Sequence, residues 1–351
     1  MCDDPGSPAA TLAAAPRPAD GPAVDPIALE PVDEVVVTML VDNSYDALMA
    51  DLGPARRAGF GRTPAGPAAV FEGGRTAPGL LAEHGFSALV TVRAGASSHT
   101  VLFDTGISPD GMAENMRRLE VDAGSISSVV ISHSHFDHAG GLEGLARLRK
   151  GSGLPIAVHP LVWSRRRVAV PGQTPFVLPV LSRSALEGEG YTVVERRRPS
   201  LLLGGCVLIT GEVDRTTEFE RGMPFHERLD GPGWEPDPLI LDDQALVVHV
   251  RGRGLLVLTG CGHAGIVNIV RHASRLTGVA EVDAVLGGFH LSGPGFEPII
   301  PATVAALREL APSLVVPAHC TGWKAQHHLA AALPDAFVPN AAGTTYTLTA
   351  A

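Results

Sequence analysis

Aromatic residues, cysteines and long apolar runs are all scarce in this chain of 351 residues. Phe, Trp and Tyr together make up 5% of the sequence, and no apolar run reaches the length of a membrane span. The N-terminus has no basic start followed by an apolar core, so we expect no secretory signal. The composition therefore predicts a cytoplasmic protein without a membrane partner.

The four cysteines show no spacing that is typical of a disulfide framework. They are Cys2, Cys206, Cys261 and Cys320, and the last two lie close to histidines in the sequence. This pattern favours a reducing compartment, with thiols near a metal, over paired disulfides.

A long block of basic residues is also missing. The formal net charge is −10, which argues against nucleic acid as a partner. Two short arginine clusters interrupt the acidic chain, at residues 165–167 and 196–198. Such clusters are typical of a solvated surface, but guanidinium groups also bind phosphate and carboxylate through paired hydrogen bonds. The sequence leaves both interpretations open.

Composition divides the chain into a short leader and a long globular part. Residues 1–30 are rich in Ala, Pro and Asp without periodicity, and we predict that they are disordered. Apolar residues make up 45% of the chain, and residues 31–351 are predicted to form a single domain. Residues 51–80 and 211–238 are predicted to be inserted loops near the site.

One stretch carries most of the candidate chemistry. Residues 129–131 are β-branched and predict the end of a buried strand, after which come His133, His135, Asp137 and His138. Side chains alternate along a strand, so His133 and His135 share one side, and a turn after His135 would bring the other two to the same point. Nitrogen and oxygen donors that converge at a strand end predict a transition-metal site.

Three strand–helix units in the second half of the chain each end in a histidine. Their predicted strands cover residues 255–259, 282–286 and 313–317. The side chains that follow these strands are Cys261 with His263, then His290, then His319. Three histidines at equivalent strand ends predict a common edge that faces the first cluster. Residues 201–210 predict a further strand upstream.

The motif His133-x-His135-x-Asp137-His138, followed by Gly140-Gly141-Leu142, resembles the signature of the metallo-β-lactamase superfamily. Residues 259–263, 287–291 and 319–323 are similar to the branch named after the dihydropterin ribofuranosylaminobenzene 5′-phosphate synthase, and the likeness covers about residues 33–349. The resemblance implies an α/β fold, a four-layer αββα sandwich with two mixed β-sheets flanked by helices.

The resemblance also implies one or two divalent metal ions, zinc first, with iron, manganese or magnesium as alternatives. The implied ligands are His133, His135 and His263 for the first ion, and Asp137, His138 and His319 for the second, with Cys261 between or beside them. The wider family usually has Gly-Asp where this chain has Gly260-Cys261. A thiolate ligand there would favour a softer ion or a single-metal site.

Several positions have candidate roles besides metal binding. The Asp of an Asp-Thr-Gly turn lies under the metal site in the resembled family, so Asp104 is a candidate to orient a ligating imidazole, with an Asx turn as the alternative. Asp42 and Asn43 are either turn formers or substrate contacts. His290 is a candidate catalytic residue, as a substrate contact or a substitute ligand, and Asp137 is a candidate ligand and proton acceptor.

These residues predict a metal-dependent hydrolase of a small ester-, lactone- or phosphate-bearing substrate. A bound metal lowers the pKa of water from about 16 to about 7 and gives hydroxide at neutral pH. The branch resemblance implies an alternative, group transfer onto a phosphoribosyl donor. A metal-bound small-molecule sensor is the third, non-enzymatic hypothesis. The sequence leaves the identity of the substrate and the oligomeric state open.

Overall fold

Short and medium-length strands make up most of the regular structure. The computed structural model describes residues 26–150 and 153–351, so most of the predicted disordered leader lies outside the described residues. The strands of the described residues are β1 Glu34–Val41, β2 Ala55–Arg56, β3 Gly66–Pro67, β4 Arg75–Thr76, β5 Ser87–Ala94, β6 Ser97–Phe103, β7 Ile126–Val130, β8 Leu154–Val158, β9 Arg166–Val168, β10 Phe176–Val177, β11 Tyr191–Glu195, β12 Ser200–Leu202, β13 Val207–Ile209, β14 His226–Asp230, β15 Gly233–Pro236, β16 Leu246–Val250, β17 Gly254–Thr259, β18 Val282–Gly288, β19 Leu314–Ala318 and β20 Thr345–Thr349.

The helices follow the strands at intervals along the chain. They are α1 Gly111–Arg118, α2 Leu142–Arg149, α3 Arg183–Gly188, α4 Ile266–Thr277, α5 Ile300–Leu310 and α6 Trp323–Ala332. Helix α4 ends where Gly278 adopts a left-handed conformation with φ 70°, which a residue without Cβ reaches at little cost. Within the described ranges, no helix combines the length and the apolar character that crossing a bilayer requires.

Two large mixed sheets organise the strands. The eight-stranded sheet has the order β11-β8-β7-β6-β5-β1-β20-β2, and the six-stranded sheet has the order β12-β13-β16-β17-β18-β19. Strands β6, β7, β8 and β11 run parallel to one another, as do β17, β18 and β19. Parallel neighbours end at the same edge of a sheet. The residues that follow β6 and β7 therefore lie at one edge of the eight-stranded sheet, and those that follow β17, β18 and β19 lie at one edge of the six-stranded sheet.

Three apolar clusters define the layers. The inner cluster joins the facing sides of both sheets, with Val37 and Val90 from one sheet and Leu256 and Leu286 from the other. A second cluster packs α4, α5 and α6 on the six-stranded sheet, and a third packs α1, α2 and α3 on the eight-stranded sheet. Each fully buried aliphatic side chain contributes about 1.5–3 kcal/mol. The predicted four-layer αββα arrangement is confirmed.

Residues 201–210 depart from the prediction of one strand. They form β12 and β13, which pair antiparallel on either side of a 3-10 turn at Leu203–Gly205. Gly204 in that turn has φ 68°, a conformation that interrupts a strand. The single-strand prediction is wrong because the apolar run of Leu201, Leu202 and Leu203 continues into the turn, so that the hydrophobic pattern does not reveal the interruption.

The start of the described chain contacts the sandwich. The N–H of Ile27 donates to the carbonyl of Leu276 at 2.7 Å, and that of Glu30 donates to Gly205 at 2.9 Å. Leu29 is buried beside the six-stranded sheet. Residues 26–30, at the end of the predicted leader, are therefore held against the fold.

The predicted loops contain short strands of their own. Residues 51–80 include β2, β3 and β4, and β2 extends the eight-stranded sheet beside β20. Residues 211–238 include β14 and β15, which join β9 and β10 in a four-stranded sheet. This small sheet brings residues of the 211–238 segment to the edge where the histidine-bearing strands end.

Arg166 on β9 anchors the small sheet. Its guanidinium is buried, with Nε 2.8 Å from Asp237 Oδ2 and Nη1 2.8 Å from Asp242 Oδ2. It also donates to the hydroxyl of Ser134, next to the histidine cluster. The anion-site interpretation of residues 165–167 therefore does not apply to Arg166, because two carboxylates of the chain already occupy its donors.

Replacing Arg166 by Met should destabilise the protein by about 3–5 kcal/mol, because the buried carboxylates of Asp237 and Asp242 would lose their counter-charge. Urea unfolding followed by tryptophan fluorescence measures the change. The matched control is Arg165→Met at an exposed neighbouring position, which should stay within about 0.5 kcal/mol of the parent. Equal unfolding midpoints for the two variants would contradict this account of the small sheet.

Candidate functional site

The candidate residues gather where strands of both large sheets end. Strand β7 ends at Val130, and the chain continues through a 3-10 turn at Phe136–His138. Strands β17, β18 and β19 end at Thr259, Gly288 and Ala318. Among the described residues, three groups have potential ligand atoms that lie within 4.8 Å of one another, and all of their members except the partly exposed His290 are buried. The groups are Asp137, His138, Cys261 and His319; His133, Cys261 and His263; and Cys261, His290 and Cys320.

Three imidazoles converge in the first part of the site. His263 Nε2 lies 3.1 Å from His133 Nε2 and 3.1 Å from His135 Nδ1. Two nitrogen ligands of a tetrahedral zinc ion, each about 2.05 Å from the metal, lie about 3.3 Å apart. Each of these two distances therefore fits a pair of nitrogens bound to one ion, and Cys261 completes a group with His133 and His263 whose ligand atoms lie within 4.8 Å of one another.

Hydrogen bonds to the far sides of the rings orient the lone pairs toward that point. The Ser132 hydroxyl donates to Asp104 Oδ2 and lies 2.9 Å from His133 Nδ1, so it accepts the hydrogen of that nitrogen. His135 Nε2 lies 3.1 Å from His226 Nε2, which leaves His135 Nδ1 free to face His263. A hydrogen on His263 Nε2 could be donated to only one of the two facing nitrogens, His133 Nε2 or His135 Nδ1. A cation would accept the lone pairs of all three nitrogens.

A second group contains a carboxylate and a thiol. His138 Nε2 lies 3.1 Å from Cys261 Sγ and 3.7 Å from Asp137 Oδ2. His319 Nε2 lies 3.3 Å from the same Asp137 oxygen, is buried and makes no hydrogen bond with the described residues. Burying a nitrogen lone pair that accepts no hydrogen bond costs free energy of folding. An ion held between Asp137, His138 and His319 would accept this lone pair.

Asp104 contacts both groups, His138 directly and His133 through Ser132. Its Oδ2 lies 2.7 Å from His138 Nδ1 and also accepts the Ser132 hydroxyl at 2.7 Å, while Oδ1 accepts the Ser132 N–H at 2.7 Å. A carboxylate on Nδ1 leaves Nε2 of His138 as the lone-pair nitrogen. A Cβ on Gly260 would lie 2.2 Å from the Ser132 hydroxyl and 2.6 Å from Asp104 Oδ2. Glycine at this position is therefore required for the close approach.

Three residues of the site have an unfavourable backbone conformation. Asp104, His290 and His319 have φ values of 58°, 44° and 47°, in the left-handed region that non-glycine residues rarely adopt. Such conformations cost about 1–3 kcal/mol each and persist where the surroundings fix them. At these three residues, the contacts that position the side chains therefore outweigh the cost of the backbone conformation.

The protonation equilibria of the two groups differ. Burial and the neighbouring imidazoles hold the pKa values of His133 and His263 well below the ordinary value, and burial with His226 lowers the pKa of His135 to about 3. Although burial opposes it, the carboxylates of Asp137 and Asp104 raise the pKa of His138 to about 9. The first group therefore offers neutral imidazoles, and the second concentrates negative charge that attracts a cation.

Of the predicted substrate contacts Asp42 and Asn43, only Asn43 lines the cleft. Asp42 is buried, and its oxygens accept the N–H of His319 at 2.7 Å and the amide of Asn340 at 2.8 Å. It therefore supports the His319 backbone, and the prediction that it contacts substrate does not fit its position. Asn43 lines the cleft, and its Oδ1 lies 3.0 Å from His319 Nδ1.

Three neighbours of the site were not singled out as site residues by sequence reasoning. His226 on β14 is buried against His135, and His84 Nε2 lies 3.6 Å from Asp137 Oδ2 at the exposed rim. Cys320 adjoins Cys261, whose carbonyl its thiol contacts at 3.4 Å. Only Cys320, next to His319, carried a signal in the sequence. The other two come from segments without a recognisable pattern.

Two cavities open beside the site and meet at His290. One of about 540 Å³ lies on the His263 side, with Phe289 and Phe296 in its wall. The other, of about 460 Å³, is lined by groups that include Asp137 and His319. Cavities of this size accommodate small molecules. The second arginine cluster, residues 196–198, is exposed and lines neither of them.

Comparison with solved structures agrees with this architecture. A crystal structure described as a metal-dependent hydrolase of the beta-lactamase superfamily covers 90% of this chain and 99% of its own, with a TM-score of 0.65 and 26% identity. The αββα sandwich and the buried His/Asp/Cys cluster define a metal-dependent enzyme of this architecture.

Sequence comparison identifies the family. A profile of the metallo-β-lactamase superfamily matches residues 83–275. A 7,8-dihydropterin-6-methyl-4-(β-D-ribofuranosyl)-aminobenzene-5′-phosphate synthase of Methanocaldococcus jannaschii is 31% identical over 254 residues, 70% of this chain and 83% of that protein. An uncharacterised protein of the same archaeon is 28% identical over 250 residues, 70% of this chain and 87% of the other. This chain belongs to the metallo-β-lactamase superfamily, and the predicted resemblance is confirmed.

Replacing Asp104 by Asn should weaken zinc binding about 10–100-fold, because an amide cannot accept hydrogen bonds from Ser132 and His138 on both of its polar atoms. Competition with a chromophoric chelator measures the affinity. Asp122→Asn is the matched control, since Asp122 is exposed and its carboxylate accepts a hydrogen bond from Gly124 in a surface turn. Unchanged zinc affinity in the Asp104 variant would contradict the role of Asp104 in orienting His138.

Proposed function

We propose that this protein is a metal-dependent hydrolase of small ester-, lactone- or phosphate-bearing molecules. The observation that carries the proposal is the position of His263 Nε2, 3.1 Å from ring nitrogens of both His133 and His135. These three histidines would hold one ion. Asp137, His138 and His319 would hold a second, with Cys261 beside both groups.

The ion would supply a water-derived nucleophile at neutral pH and polarise the oxygen of the scissile bond. Zinc suits the imidazoles and the thiol, while iron and manganese also suit imidazole and carboxylate donors. Among the protein groups, Asp137 lines the cavity with its carboxylate between His138 and His319. It is placed to accept a proton from the attacking water, a role worth about 10²–10⁴-fold in rate.

The walls of the cleft would position the substrate. His290 lies between the two cavities, and its Nδ1 is buried without a hydrogen bond to the described residues. The partly exposed side chain lines both cavities, and we expect the part of it that faces them to contact the substrate. Asn43 and the exposed His84 form the rim on the opposite side. The larger cavity, with its phenylalanines, would receive the apolar part of the substrate.

His133→Ala and His263→Ala should each lose the ion of the histidine group and fall to the background rate on a panel of esters, lactones and phosphoesters, because two imidazoles cannot hold a catalytic ion alone. Elemental analysis and initial rates are measured on the same samples. His328→Ala, at an exposed position on α6, is the matched control and should retain both. Turnover by a His133 variant that lacks the ion of the histidine group would contradict the proposal.

A second candidate function is group transfer onto a phosphoribosyl donor. It is favoured by the 31% identity to the synthase over 70% of this chain. The same carboxylate-bearing group, Asp137 with His138 and His319, would then hold an ion that assists the departure of pyrophosphate.

The two reactions are separated by incubating the protein with phosphoribosyl pyrophosphate and an aromatic amine or a pterin. Only a transferase releases pyrophosphate in proportion to coupled product, whereas a hydrolase forms no coupled product. If neither reaction occurs and a small ligand binds tightly, the protein is a metal-bound sensor.

A further inference from the structure

Two thiols and one imidazole form a third cluster, which shares Cys261 with the two histidine groups and adds Cys320, a residue that the hydrolytic proposal does not use. The Sγ atoms of Cys261 and Cys320 and a ring nitrogen of His290 all lie within 4.8 Å of one another. The Cys320 thiol contacts the Cys261 carbonyl at 3.4 Å, so the two residues pack directly against each other. Both thiols are buried, and His290 is partly exposed toward the cavities.

Local geometry holds the three side chains together. His290 has a left-handed backbone with φ 44°, and this conformation directs the residue away from the line of β18. A Cβ on Gly288 would lie 2.8 Å from Cys320 Sγ and 2.4 Å from the Gly260 carbonyl. Glycine at this position therefore makes room for the thiol of Cys320 beneath His290.

The chemistry of the cluster differs from that of the two histidine groups. Thiolates are soft ligands that select zinc, cadmium and copper(I), whereas carboxylates suit harder ions. Two sulfurs and one imidazole are the protein ligands of one type of catalytic zinc site, whose fourth position stays open. Here the cavity of about 460 Å³ is lined by Cys261, His290 and Cys320, so an open position would face the cleft.

We propose that Cys261, Cys320 and His290 form a further site for a thiophilic divalent cation, with two thiolates, one imidazole and a fourth position open to the cleft, and that this site shares Cys261 with the two histidine groups. His290 Nδ1 is buried and makes no hydrogen bond with the described residues, so its use as a ligand would displace no protein partner. The site does not depend on His133 or His135.

The test is reconstitution of the purified protein with cobalt(II), followed by near-ultraviolet absorption. A bound thiolate gives a sulfur-to-cobalt charge-transfer band whose intensity rises with the number of thiolates. The parent protein should show the intensity of two thiolates per site. Cys320→Ala and Cys320→Ser should each lose at least half of the band, since neither methyl nor hydroxyl is a soft ligand.

Two controls separate this site from the others. Cys206→Ala changes a thiol packed in the core between the sheets and should leave the band unchanged. His133→Ala should lose the ion of the histidine group by elemental analysis but keep the thiolate band. Failure of the hydrolase proposal would leave this pattern intact, so the two proposals fail independently.

An undiminished band in both Cys320 variants would overturn the proposal, because Cys261 alone would then be the sulfur ligand. Absence of any charge-transfer band in the cobalt-loaded parent would overturn it as well. Circular dichroism of each variant checks the fold, and the serine variant is closer to the thiol in volume than the alanine variant, so a misfolded alanine variant would not obscure the result.

Discussion

The close approach of imidazoles from two different sheets is the interaction on which the rest of this molecule depends. His133 and His135 follow a strand of the eight-stranded sheet, whereas His263 follows a strand of the six-stranded sheet. Their nitrogens come within 3.1 Å only because the inner core fixes how the sheets face each other. A small rotation of one sheet would separate the rings, so the dry core between the sheets acts as the scaffold of the site.

Burying the polar side chains of this cluster costs free energy of folding, and several interactions offset part of that cost. Buried polar atoms without partners, such as His263 Nδ1 and His319 Nε2, each cost about 1–3 kcal/mol. Asp104 offsets part of this cost by joining Ser132 and His138 in one hydrogen-bonded network. A cation bound by the converging lone pairs would offset a further part of this cost, because the free energy of metal binding adds to the stability of the folded state.

Much of this arrangement could be predicted from local sequence, and the exceptions have identifiable causes. The spacing of His133 and His135 after a β-branched run, and the histidines after β17, β18 and β19, are local signals that strand geometry converts into a shared edge. His226 reaches His135 only because β14 pairs with β9 in a small sheet, a long-range pairing without a local signature. Asp42 and Arg166 were misjudged for a related reason. Asp42 was predicted to be a turn former or a substrate contact, and Arg166 part of a solvated surface or an anion site, but partners far along the chain bury both.

Anomalous X-ray diffraction from crystals grown with zinc tests the central claim most directly. The account predicts an anomalous peak about 2 Å from His133 Nε2, His135 Nδ1 and His263 Nε2 together. A map with no peak at that point, and with the three rings joined instead by ordered water, would contradict it.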